Sequence, residues 1–375
     1  MADYMDEGVA RDLASIALEK LAAGTVDRRS VLKALGALGF VGTAEGLLAG
    51  TASAASGKLV LANFGGPEIP AFQKAFCEPF TKATGMEVVI DGSGPRNALI
   101  KAAVEAHAVA WDVCDTATIA TIINGRGGVL QPMDYKIVDK AKVMPGFALE
   151  HGVANYTYSY VLAFDKKRFP QPPRNWADFW DRKKFPGMRT MAKTPTGQLE
   201  AAALAAGVPR DKIYPLDLEV AIKKIKEIKN DVIFWENGQQ CMQMFRDREV
   251  VMGNIWHHRA APLLAELKGD AFGWIWTDGN LNASAWNIPK GNPAGTEAAM
   301  KFVASTQDPA QQVVLFQMVG SGPSNPAAHA MIPAEMRYGD PGQPDNFKAQ
   351  ILNDGQWWAD NQAKATDMWL DAISG

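Results

Sequence analysis

The sequence predicts an α/β protein of two lobes, each a mainly parallel sheet flanked by helices, with two strands crossing between them. Three observations predict it. From Lys58 onward, short apolar runs alternate with segments whose apolar residues recur at helical spacing. Alternation in the order β-α-β-α-β builds a parallel sheet with helices on its faces. Such a series occurs twice. Two stretches, 156–164 and 284–288, stand where a strand would leave one lobe and enter the other.

The elements follow in order. Residues 58–63 (KLVLAN) read as a strand, followed by the turn Phe64-Gly65-Gly66-Pro67. A helix is expected over 69–84, with Phe72, Ala75, Phe76 and Phe80 near one face and Gly85 as its cap. A strand over 86–90 comes next. The helix over 97–106 then turns Leu99, Ile100, Ala103 and Val104 inward. A short strand at 111–114 and a short helix at 119–124 close the first series. The run YTYSYVLAF at 156–164 is a long strand of aromatic and β-branched residues. A helix opens at Trp176 after Asn175. The second series holds strands at 189–192 and 249–256 and helices at 197–206, 218–228 and 239–246. Residues 272–277 form a further strand, and 284–288 a second crossing strand stopped by Pro289. Helices at 296–305, 310–319 and 356–373 complete the chain.

Ahead of this lies a segment of another kind. Arg28-Arg29, then Leu32 and Lys33, lead into a weakly apolar run ending at Ala52-Ser53-Ala54. A charged start, an apolar centre and a small-x-small end are the layout of a removable secretory signal, and the paired arginines point to the twin-arginine route. The run carries Glu45 and repeated glycines and falls short of the roughly 20 apolar residues that span a bilayer. Residues 1–54 are therefore expected to be removed and the mature chain to reside in the periplasm.

Apolar residues make up 47% of the chain and charged residues 21%, as in a globular protein with a substantial core. The net charge of −3 gives no reason to expect nucleic-acid binding or attachment to a membrane surface. Three cysteines, Cys77, Cys114 and Cys241, do not make a disulfide framework or show metal-ligand spacing; the periplasm would allow one bridge, but three buried free thiols are the expectation.

Along the mature chain several motifs occur in a recognisable order: Asn63-Phe-Gly-Gly66; Trp111-Asp-Val113 leading to Gly128-Val-Leu-Gln-Pro132; Asn175-Trp-Ala-Asp-Phe-Trp-Asp181; Phe185-Pro-Gly187; Asn287-Ile-Pro-Lys-Gly291; and Gly320-Ser-Gly-Pro-Ser-Asn325. By these motifs the chain resembles the extracellular solute-binding proteins of ABC importers, and within them the spermidine/putrescine-binding branch. The resemblance implies a two-lobed periplasmic-binding-protein fold. Lobe 1 would span 58–160 plus 286–335, lobe 2 would span 161–285, and 336–375 would form a C-terminal helical segment. It implies a small-molecule solute held in an interlobe cleft, delivery to an inner-membrane ABC permease, and a monomer without cofactor, bound metal or nucleic acid.

The same resemblance supplies site residues. Phe64 and Trp256 fall where the family has aromatics lining the ligand chain. Flat apolar walls suit methylene groups, and a tryptophan face attracts a cation. The family's carboxylates fall on Ser284 and near Thr194 and Gly197, and neighbouring aromatics on Asn282, Ile119 and Ser321. A dication cannot enter a dry cleft without acids, so this departure counts against a linear polyamine. What gathers instead is polar or basic: Arg96 and His257-His258-Arg259, with Thr194, Asn282 and Ser284 as neutral groups. Arginine suits carboxylate or phosphate, which points to an anion or zwitterion. The candidate ligand-binding set is Phe64, Gly65, Arg96, Asp115, Thr118, Thr194, Trp256, His257, Asn282 and Ser284. Glu68 and Glu236 are acids near enough to contribute. The expected function is capture of a small polar organic solute, polyamine-like or a small carboxylate or zwitterion. A ferric-iron-binding relative is the alternative. No nucleophile elbow, phosphate loop or metalloprotease pair is present in the sequence, so an enzyme is not expected.

Overall fold

The computed structural model describes residues 57–169, 171–267 and 271–374. The leader segment 1–54 lies outside them. The described chain forms two compact units. The first holds the residues through Asn155 together with Ala285–Asp308; the second holds Tyr156–Ser284 and the residues from Pro309.

In the first unit, β1 (Lys58–Ala62) is followed by α1 (Glu68–Phe72), a π-helical turn (Gln73–Cys77) and α2 (Glu78–Thr84). Next come β2 (Glu87–Asp91), α3 (Asn97–Glu105), β3 (Val113–Ala117) and α4 (Thr118–Arg126). Strand β1 pairs in parallel with both β2 and β3. The π-helical turn adds a residue to the helical repeat. Phe72, Ala75, Phe76 and Phe80 all remain buried through it. Phe72 and Phe76 meet Trp286 edge-on at 5.5 and 5.9 Å, the preferred aromatic geometry.

Strand β3 begins two residues later than the sequence suggests and runs through polar residues. Asp112 is instead a buried tie, accepting from the Val60 amide at 2.7 Å and the Ala294 amide at 2.6 Å. Within β3, Asp115 accepts from Asn155 Nδ2 at 2.8 Å, and Thr116 Oγ1 accepts from Asn287 Nδ2 at 2.7 Å. Buried polar strand residues persist because each finds a partner far away in sequence.

After β4 (Ala148–Leu149), β5 (Gly152–Asp165) leads into the second unit. There follow α5 (Trp176–Trp180), β6 (Arg189–Ala192), α6 (Gln198–Ala205), α7 (Leu218–Lys226), β7 (Val232–Trp235) and α8 (Gly238–Arg246). Next are β8 (Met252–Trp256), α9 (His257–Glu266) and β9 (Phe272–Asn287). Strand β6 pairs in parallel with β7 and β8, and β5 lies antiparallel to β8, placing Tyr160 opposite Trp256. The short strand β7, VIFW, escapes the sequence reading: four residues after a charged helix carry too little pattern. Arg189 is fully buried, yet its guanidinium donates to the Phe179 carbonyl at 3.0 Å and to other carbonyls of the α5–β6 segment, fixing the entry of β6.

The two strands expected at 272–277 and 284–288 are one strand, β9. Thr277-Asp-Gly-Asn280 carries turn chemistry, and Asp278 does adopt a left-handed φ of 58°. The ladder continues because Trp176 Nε1 donates to the Asp278 carbonyl at 2.8 Å and β11 (Ile351–Leu352), near the chain's end, pairs with Asn280 and Leu281. Before that strand come α10 (Thr296–Ser305) in the first unit, then α11 (Pro309–Val319), β10 (Gly322–Pro323) and α12 (Pro344–Ala349) in the second. The long α13 (Gly355–Ile373) ends the chain. Cys77, Cys114 and Cys241 are free and buried, and burial raises each thiol's pKa, which keeps it inert.

Candidate functional site

Ligands of open parallel sheets gather outside the carboxyl ends of the strands. In the first unit those ends carry Phe64 and Gly65 after β1, Arg96 after β2, and Thr118 after β3. Asn63 is buried and its Oδ1 accepts from the Gly65 amide at 2.9 Å. Gly65 has φ +79°, and a Cβ there would stand 2.7 Å from the Gly92 carbonyl oxygen, so only glycine lets the turn sit against the β2 exit. This turn holds Phe64 outward; the ring is 54% exposed. Thr118 is buried and opens α4, which has no side-chain cap. Arg96 is exposed and opens α3, likewise uncapped. Asp115 is buried within β3 on its Asn155 partner.

In the second unit the parallel strand ends carry Thr194 after β6, Glu236 after β7 and Trp256 at the end of β8. Trp256 anchors an aromatic face. It stacks on His258, with ring centroids 5.8 Å apart and planes 9° from parallel, and meets Trp235 edge-on at 4.7 Å and Tyr160 at 5.9 Å. Tyr158 meets His258 edge-on at 6.2 Å. Burial pushes the Tyr160 phenol up to about 12, against the opposite influence of the Trp256 and Thr194 side chains beside it. Thr194 itself is exposed, on a loop that ends at Gly197. Gly197 has φ +80°, a Cβ there would fall 2.4 Å from the Tyr160 ring, and its carbonyl accepts from Asn254 Nδ2 at 2.9 Å.

His257 is used differently from the expectation of a ligand contact. It is fully buried; Nδ1 accepts from the Ser159 amide at 2.9 Å, so Nε2 carries the proton and donates to the Gly320 carbonyl at 3.0 Å. Burial pulls its pKa down to about 4. The ring ties β5 and the 320 turn to the start of α9. Asn282 and Ser284 are buried in β9, and Asn282 Nδ2 donates to the Asn280 carbonyl at 3.0 Å. Glu236 lies on the surface, its carboxylate 2.6 Å from Lys193 Nζ.

The structure thus assembles Phe64, Gly65, Arg96 and Thr118 at one set of strand ends, and Thr194 and Trp256 at another. Sequence reasoning named His258 in the polar cluster after Trp256 but missed Tyr158 and Tyr160. The period-two tyrosines in YTYSY were the available signal, since alternate strand residues share a face. It also missed Glu200, which the Gly197-x-x-Glu200 capping-box spacing marks. Among the described residues no group of three His, Cys, Asp or Glu is arranged to hold a metal, and no helix is long and apolar enough to cross a membrane.

Comparison with known proteins places the chain. The family described as bacterial extracellular solute-binding protein matches residues 75–337. The gamma-aminobutyric acid-binding protein of Pseudomonas aeruginosa is 30% identical over 319 residues, 84% of this chain and 90% of that protein. Among solved structures, the Atu4243 GABA receptor is 32% identical, covers 84% of this chain and 97% of its own, and superposes with a TM-score of 0.78. The Agrobacterium tumefaciens R10 PBP AgtB, in complex with agropinic acid, is 27% identical over 86% of this chain and 100% of its own, with a TM-score of 0.72. These relatives are receptors and binding proteins, not enzymes, and the α/β fold is theirs. The chain belongs to the bacterial extracellular solute-binding protein family.

Proposed function

We propose that this protein is the periplasmic substrate-binding component of an ABC importer, exported by a twin-arginine signal over residues 1–54, and that its solute is a small zwitterion of the γ-aminobutyrate type. The observation that carries this reading is likeness to two GABA-binding proteins, at 30% and 32% identity across 84% of this chain. Residue chemistry supports it. In the second unit the Trp256 face offers flat apolar contact of the kind a short methylene chain takes, and in the first unit the exposed Phe64 ring is a surface of the same kind. Helices α4 and α9 each open at a strand's carboxyl end without a side-chain cap, leaving amide donors that suit a carboxylate. The positions where polyamine binders carry acids hold Ser284, Thr194 and Gly197 here, which disfavours a dication. The solute would be handed as a monomeric complex to an inner-membrane permease.

Thermal denaturation of the protein without residues 1–54 tests the reading, with GABA, agropinic acid, putrescine and spermidine as candidate ligands. A ligand at about 100 times its Kd adds about 2.7 kcal/mol of stability, a readable rise in Tm. GABA is expected to give that rise. A response to putrescine or spermidine with none to either carboxylate would overturn the assignment.

A further inference from the structure

One buried carboxylate has no part in the reading above. Glu200, in the first turn of α6, is fully buried in the second unit. Its Oε1 accepts from Tyr214 Oη at 2.6 Å, Trp358 Nε1 at 2.7 Å and Asn353 Nδ2 at 3.3 Å. Its Oε2 accepts from the Gly197 amide at 2.7 Å. Trp358 and Asn353 also donate to Tyr214 Oη, at 3.2 Å each, so the hydroxyl's own proton is turned toward the carboxylate. Burial raises the Glu200 pKa, and the surrounding donors work against that rise. A buried carboxylate costs stability unless its lone pairs are met, and a neutral group would fill the space more cheaply. The carboxylate does what an amide cannot: it accepts on both sides.

One side faces α13 and the loop before it. The other faces the loop that ends at Gly197, whose α-carbon packs on Tyr160 and whose carbonyl takes Asn254. We propose that Glu200 is a positioning residue of the solute-binding surface: anchored by Tyr214, Asn353 and Trp358, it holds the Gly197 amide and so sets the 194–197 loop against the Tyr160–Trp256 aromatic face. This rests on the reading that the strand-end surface of the second unit binds the solute.

Glu200→Gln separates positioning from general bracing. Three donors converge on the Oε1 side, so the amide oxygen is drawn there and the NH2 is left facing the Gly197 N–H, donor against donor. Amide exchange over 194–198 should accelerate about 10-fold or more, the order expected for a lost charge-assisted hydrogen bond. Exchange in α13 should stay as in the wild type, and affinity for GABA should fall by about 10-fold. Equal acceleration in α13 and the loop would reduce Glu200 to a structural brace. Wild-type exchange at 194–198, or wild-type affinity for GABA, would overturn the proposal. Should Glu200→Gln not fold, the Gly197 amide of the wild type decides: protection supports the proposal and free exchange overturns it. Should wild-type protein ignore GABA, the functional reading falls while the exchange measurement still tests the loop.

Discussion

His257 shows how one residue can look like a ligand in sequence and serve the frame in structure. A histidine after an aromatic at a strand end suggests recognition of an anion, but both its ring nitrogens are spent on the backbone of Ser159 and Gly320. That arrangement requires the neutral ring. Its pKa falls from 6.5 to about 4 on folding, chiefly through burial. Between those values the unfolded chain binds a proton that the folded chain does not, so stability rises with pH across that window and is lost as pH falls through about 4. The contribution is about 3 kcal/mol, from 1.36 kcal/mol per unit. His257→Asn keeps an acceptor for the Ser159 amide and does not titrate. The unfolding free-energy difference between wild type and variant should therefore shrink by about 3 kcal/mol from pH 7 to pH 4. A pH-independent difference in urea denaturation would refute the argument. Glu200 and Asp112 have the opposite sign, since burial raises both their pKa values, and they cancel in the comparison.

At the scale of elements, the loop between β6 and α6 packs against the Tyr160–Trp256 aromatic face, and Gly197 is its closest approach. Gly197 combines φ +80° with a close approach to the Tyr160 ring. Alanine there would be strained in backbone and would push on a buried tyrosine. Gly197→Ala should lower stability by about 2 kcal/mol, read from the urea midpoint, and weaken solute binding as well. A loss under about 0.5 kcal/mol would mean the loop yields freely. Elements with strong periodicity were legible from the chain alone: β6 falls at 189–192 and α13 one residue from its expected start. Strand β9 was not, because its turn-type residues are kept in the ladder by Trp176 and by β11. Strand β3 was displaced for a related reason, since the partners of its polar residues come from Asn155 and Asn287.

At the scale of the whole molecule, the chain passes from one unit to the other after Asn155, Ser284 and Asp308. Each unit is thus closed by segments remote in sequence, and α10, between two of these passages, completes the first. The proposed export belongs to this scale too, because a protein sent by the twin-arginine route would cross the membrane as a folded body. Replacing Arg28 and Arg29 together by lysine should leave the precursor in the cytosol, as judged by cell fractionation; continued appearance in the periplasm would rule out the twin-arginine route.

By itself the sequence determined the alternation of strands and helices, the family and the strand-end aromatics, because periodicity, turn residues and motif order are local properties of the chain. The proposal of a zwitterionic solute also draws on the sequence, which has no acids at the positions where the resemblance would place them. Tertiary structure alone decided that His257 supports the backbone, that Tyr158, Tyr160 and His258 surround Trp256, and that Glu200 is a buried anchor. Each of these depends on which remote donor, acceptor or ring arrives within hydrogen-bonding or stacking distance, and local pattern can mark such a residue without naming its partners.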